Sequence, residues 1–133
     1  MLVEFADQDE WSAWTNRTDV VLHIELRRIE AALLIAPLSA NTLGKIANGL
    51  CDNLLTSVVR CWDIGKKPLV VAPAMNTMMY EHPITDIQIT FLREKLLIKV
   101  LPTCCKKLMC GDEGFGALLD VDTIVKEVVI NII

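Results

Sequence analysis

The sequence predicts an open α/β domain, a parallel sheet flanked by helices, and three observations carry that expectation. Short apolar runs recur at residues 31–36, 69–72 and 96–101, the last interrupted only by Lys99, each followed at once by a proline: Pro37, Pro73 and Pro102. Segments of helical spacing separate and follow these runs. Two of the runs also end in the same Ala-Pro signal. Strands of a parallel sheet are covered on both faces, so they read as continuous apolar runs rather than as alternating ones. Their alternation with helices is the mark of the class.

Each element follows in order. Residues 2–5 are apolar and short, a remnant of a strand. Trp11 and Trp14, three apart, put one or two helical turns in residues 9–16. Residues 18–22 lead into His23-Ile24-Glu25-Leu26-Arg27-Arg28. Residues 31–36 are the first buried strand, expected to be covered on both faces. Residues 39–60 carry apolar side chains at helical spacing, with Ser39 and Asn41 as candidate caps. Gly65 to Pro68 is a turn, and residues 69–72 form the second strand. Residues 75–80 are a loop or short helix that His82-Pro83 breaks. Residues 85–95 are helical, residues 96–101 are the third strand, and residues 121–130 are a closing helix. Gly111, Gly114 and Gly116 mark a flexible loop. Ligands of such sheets sit beyond the carboxyl ends of the strands. Residues 37–42 and 73–80 are therefore expected together on one ligand-bearing edge.

Composition narrows the class. The 133 residues suit a single domain, 1–133, and 53% hydrophobic against 23% charged residues exclude disorder. A net charge of -4 makes nucleic acid a poor partner. No apolar run reaches the roughly 18 residues of a membrane span, and the N-terminus has no signal-peptide pattern. The five cysteines are irregularly spaced, which suits a reducing cytoplasm rather than a disulfide framework. Cys104, Cys105 and Cys110 have no second pair to complete a zinc site, so no metal is expected. So apolar a chain is expected to bury one face against other subunits.

Four segments have the residue types for chemistry. His23 can exchange a proton near neutral pH, and Arg27 and Arg28 can hold an anion; a surface histidine beside a solvated charge run would read the same way. Residues 36–45, APLSANTLGK, place small and hydroxylated residues where a strand meets a helix, which suits a phosphate or a flavin edge, or simply an N-cap. In residues 73–80, PAMNTMMY, Asn76 offers donor and acceptor while Met75, Met78 and Met79 offer soft apolar walls or core. Residues 106–116, KKLMCGDEGFG, set Cys110 among glycines in a loop able to close over a site.

Together and in this order these segments resemble the flavin-containing cysteine decarboxylase family, in its branch of phosphopantothenoylcysteine decarboxylases. The strings that carry the resemblance are LHIELRR, APLSANTLGKIANGLCDNLL, PAMNTMMYEHP and CGDEGFGA, and it runs from about Asp9 to the end. It implies a Rossmann-like flavoprotein fold with FMN as cofactor and 4′-phosphopantothenoylcysteine as substrate, decarboxylated to 4′-phosphopantetheine in coenzyme A biosynthesis. By the same resemblance, His23 is the catalytic base and Cys110 the flap cysteine. Asn76 grips the substrate's carboxylate end, with Arg28 and Met79 also on the substrate side. Pro37, Leu38, Ser39, Ala40, Asn41, Thr42 and Ala74 match positions that contact FMN. A cysteine carboxylate has no electron sink, and the family creates one by flavin oxidation of the thiol-bearing carbon.

The resemblance also implies a homotrimer with flavin near subunit boundaries. It implies that the matched region begins after the family's first strand, helix and phosphate loop, which residues 2–5 do not supply. Two further departures are Tyr80, where the family has tryptophan, and a turn at Gly65-Lys66-Lys67 about one residue longer than usual. The alternative readings are a protein-phosphatase inhibitory subunit of the same family, and an inactive copy.

Overall fold

The computed structural model describes residues 2–107 and 113–132. Its elements run α1 (Asp7–Ala13), α2 (Leu22–Ile29), β1 (Leu33–Leu38), α3 (Ala40–Ala47), α4 (Leu54–Arg60), β2 (Leu69–Pro73), α5 (Thr77–Tyr80), α6 (Pro83–Lys95), β3 (Lys99–Val100), β4 (Cys104–Lys107), β5 (Glu113–Ala117) and α7 (Val121–Ile132). Strands β1, β2 and β3 form a parallel sheet in that order. Strands β4 and β5 pair antiparallel beside it.

Strand β2 is the central strand, and its five residues are all buried. Leu69 and Val71 face a core shared with Ile35, Leu43, Ile46, Val58, Val59, Trp62, Leu92 and Val100. Val70 and Ala72 face the other way, against Leu101, Ile124 and the partly buried Leu118 and Val128. A continuous apolar run is what such two-sided burial demands. Strand β1 departs from the expectation of two covered faces. Ile35 and Leu38 are buried, but Leu34 is 41% exposed, because the α7 side of the sheet is packed under β2 and Leu101 rather than under β1.

β1 runs two residues later than expected, through Pro37 to Leu38, and three other boundaries differ from the sequence reading for a local reason. The single helix expected over residues 39–60 is two helices. Gly49 takes φ +72 after α3, the left-handed turn that ends helices, and Asn53 then caps α4 by accepting the Thr56 N–H at 2.8 Å. Pro83 does not merely break the preceding turn. It is the first residue of α6, where its missing N–H costs nothing, and His82 caps the helix. The third strand is only two residues long, since Leu97 adopts φ +53 as the chain leaves α6.

Gly114 and Gly116, expected in a flexible loop, lie in a strand instead. Residues 113–117 are strand β5, and the Met75 N–H donates to the Gly116 carbonyl at 2.8 Å. Gly111 and Cys110 lie outside the described residues.

Candidate active site at the carboxyl edge of the sheet

Two strand ends converge to build a ledge. Leu38, fully buried, pairs with Pro73, and the Ala74 N–H donates to the Leu38 carbonyl at 3.0 Å. The segment after β1 and the segment after β2 therefore leave the sheet side by side. Pro37, within β1, and Ser39, just past its buried last residue Leu38, are exposed. Ser39 is the N-cap of α3: its Oγ accepts the Thr42 N–H at 3.1 Å and donates to Thr42 Oγ1 at 3.2 Å. Asn41 is exposed inside the first turn and is not a cap. The first N–H groups of a helix, here those of Ala40 and Asn41, have no intrahelical acceptor.

Asn76 holds the other side of the ledge. It caps the short helix α5, and its Oδ1 accepts the Met78 N–H at 2.8 Å. That bond fixes which end of the amide is oxygen and leaves the Nδ2 donors with no partner among the described residues. One lone pair of the acceptor is thus used in the cap. Met79, half-exposed, lines a cavity of about 440 Å³ with Ala40, Met78, His82, Ile84 and Thr85.

Gly116 presses against this ledge from the hairpin. A Cβ there would lie 2.2 Å from the Met75 carbonyl oxygen and 3.2 Å from Tyr80 Cβ. Only glycine lets the two backbones come this close.

His23 lies apart. It is the second residue of α2, and its Nδ1 is paired with Glu10 Oε1, while its backbone N–H donates to Glu10 Oε2 at 3.1 Å. Cys61 Sγ donates to the His23 carbonyl at 3.6 Å, and burial pushes the Cys61 thiol above its ordinary pKa. His23 and Glu10 line a cavity of about 350 Å³ with Trp11, Cys51, Asn53 and Arg60. That cavity shares no residue with the one at Met79. Arg28 is largely exposed and pairs with Glu25 at 3.4 Å, whereas Arg27 turns inward to Asp63. A larger apolar groove of about 770 Å³, lined by Leu26, Leu34, Leu54 and Trp62 among others, contains none of the predicted site residues.

The structure thus gathers Pro37, Leu38, Ser39, Ala40, Asn41 and Thr42 with Ala74, Asn76 and Met79. It holds His23 and Arg28 elsewhere. Sequence reasoning missed Glu10, because no local pattern links residues 13 apart in different helices. It read Gly116 as part of a flexible loop, although close glycine spacing is equally the sign of close backbone approach.

An open parallel sheet whose carboxyl edge bears a helix N-terminus, an amide and an apolar cavity is the build of a cofactor-binding α/β domain. The chain belongs to the Flavoprotein family, whose model matches residues 2–133. It is similar to phosphopantothenoylcysteine decarboxylase of Mus musculus, 53% identical over 124 residues that cover 93% of this chain and 60% of the relative. A probable phosphopantothenoylcysteine decarboxylase of Arabidopsis thaliana is 57% identical over 116 residues, 87% of this chain and 57% of the relative. Among solved structures, a mutant PPC decarboxylase complexed with pantothenoylaminoethenethiol superposes with a TM-score of 0.88 at 52% identity, over 95% of this chain and 68% of that one. The FMN binding protein AtHal3 superposes with a TM-score of 0.86 at 53% identity, over 95% and 67%. The chain spans 57–60% of the length of these two curated relatives.

Proposed function

We propose that residues 1–133 form one flavoprotein domain carrying the substrate-handling part of an FMN-dependent carboxy-lyase. Its substrate is 4′-phosphopantothenoylcysteine and its product 4′-phosphopantetheine, a step of coenzyme A biosynthesis in the cytoplasm. The observation that carries this reading is Asn76, beside the strand ends, whose amide is oriented by one hydrogen bond and whose Nδ2 donors have no partner among the described residues. Similarity to decarboxylases over most of the chain supports it.

The ledge fits a flavin. The first N–H groups of α3, at Ala40 and Asn41, suit the polar edge of the ring, and the Met78–Met79 cavity of about 440 Å³ suits its apolar body. Pro37, Leu38, Ser39, Thr42 and Ala74 complete that holding set. When bound, FMN supplies the electron sink that a cysteine carboxylate lacks. The chain's own residues bind and move protons. Asn76 Nδ2 donates to the substrate carboxylate and holds it oriented, with Met79 against its apolar stem. His23 accepts and returns a proton through its ring, Arg28 steers the anionic substrate, and Cys110 supplies a proton from the segment between β4 and β5. The two separate cavities, together with exposed Trp11, Trp14, Ile24 and Met78, support a homotrimer that completes each site across a subunit boundary.

The test is direct. Purified protein loaded with FMN should release carbon dioxide from 4′-phosphopantothenoylcysteine, and Asn76→Ala should lower that rate about 100-fold by removing one preorganised donor. Protein that takes up no FMN and releases no carbon dioxide would refute the proposal. Size-exclusion chromatography with flavin absorbance reports the trimer in the same run.

A further inference from the structure

We infer that Glu10 is a positioning residue for His23: its carboxylate holds the imidazole in the Nδ1–H form and turns the Nε2 lone pair to the cavity. The inference rests on His23 being the proton carrier proposed above, but its geometry stands independently.

Two bonds reach one carboxylate. Glu10 Oε1 meets His23 Nδ1, and Glu10 Oε2 accepts the His23 backbone N–H at 3.1 Å. The second bond satisfies a donor that α2 cannot, because its N-cap is Val21 and offers no side-chain acceptor. Both groups are substantially sheltered, with side-chain exposure of 25% for His23 and 14% for Glu10. A carboxylate can only accept, so a neutral His23 must carry its proton on Nδ1. The unprotonated nitrogen is then Nε2, and the ring opens onto the cavity of about 350 Å³ that it shares with Trp11, Cys51, Asn53 and Arg60. Holding a general base in one tautomer by a carboxylate on its far nitrogen is the arrangement that makes an imidazole a competent proton acceptor. Because α1 contributes the carboxylate and α2 the ring, docking of the two helices assembles the pair.

The other histidine is an internal control. His82 Nδ1 accepts the Ile84 N–H at 3.2 Å, so its proton must sit on Nε2. The chain has only two histidines, and they are held in opposite tautomers.

Long-range proton–nitrogen correlation spectra of the full chain labelled with ¹⁵N-histidine read both tautomers. They would be recorded at about pH 9, where an ordinary imidazole is neutral. His23 should show the Nδ1–H pattern and His82 the Nε2–H pattern. In Glu10→Ala, His23 should lose its Nδ1–H preference while His82 is unchanged. In FMN-loaded protein, the same variant should lower kcat about 10- to 100-fold with KM within about twofold, the cost of a base that is present but poorly held. A carboxylate that only capped α2 would lower stability in Glu10→Ala and leave the tautomer as it was. That result would overturn the inference, as would an Nε2–H signature for His23 in the unaltered protein, a measurement that needs no variant to fold. Absence of decarboxylation in the unaltered protein would instead refute the functional reading, with the tautomer measurement still deciding the role of Glu10.

Discussion

Replacing Gly116 by alanine tests whether the hairpin is docked on the ledge or free to swing. The new Cβ would sit 2.2 Å from the Met75 carbonyl oxygen, a backbone atom that no rotamer change can remove. Ordinary contact needs roughly 3.4–4 Å, so strand β5 and the Met75 segment must part by at least about 1 Å. The 2.8 Å bond from the Met75 N–H to the Gly116 carbonyl would then stretch toward about 3.8 Å, beyond the range of a hydrogen bond. An orphaned, sheltered amide costs about 1–3 kcal/mol, and loosened packing at Tyr80, 3.2 Å from the same Cβ, adds to it. The expected total is about 2–4 kcal/mol. Urea unfolding measures that loss, and amide exchange locates it: the Met75 amide should lose its protection while Val71, in the central strand, keeps its own. A variant within about 0.5 kcal/mol of the original, with Met75 still protected, would refute the docked arrangement.

Three further outcomes follow from other parts of the molecule. Leu92→Ala removes a fully buried side chain from the core over the sheet and should cost about 2–5 kcal/mol in urea unfolding; a loss below about 1 kcal/mol would contradict that packing. Asp120 is held below the usual carboxylate range, first by the Thr123 hydroxyl and then by the Thr123 N–H at the start of α7. Its folded value lies below its unfolded one, so its contribution is present above the unfolded pKa and is lost as pH falls through the folded one. Thr123 and Ile124 amides should therefore exchange faster on acidification once intrinsic rates are divided out, and Asp120→Asn should flatten that dependence. Cys61, its thiol raised by burial, should alkylate more slowly than exposed Cys51 at pH about 8; equal rates in peptide mapping would exclude the sheltered position.

Much of the fold was legible because its signals are local. The run at residues 69–72 is apolar throughout because β2 is buried on both faces, and composition reports that directly. The Ala-Pro pairs marked the carboxyl ends of strands only approximately, since β1 runs through Pro37 to Leu38 and β2 includes Pro73, and the general rule for parallel sheets placed residues 37–42 beside residues 73–80. Ser39 as a cap is likewise written in a few neighbouring residues. The break at Gly49 was missed because apolar spacing continued across it, while the decision lay in one backbone angle. Leu34 looked like a residue of a fully buried strand, yet its exposure depends on which elements cover that end of the sheet.

The sequence by itself determined the alternation of strands and helices, the ligand-bearing edge and the residue types found there. These depend on periodicity, capping and strand endings, which act within a turn or two of the chain. Tertiary structure alone decided that the Asn76 amide is oriented by the Met78 N–H, that Gly116 is pinned against Met75, that Glu10 meets His23, and that His23 lines a different cavity from Met79. Each of these turns on a contact or an orientation set when elements pack, and no pattern of neighbouring residues encodes where a side chain's hydrogen bond is finally made.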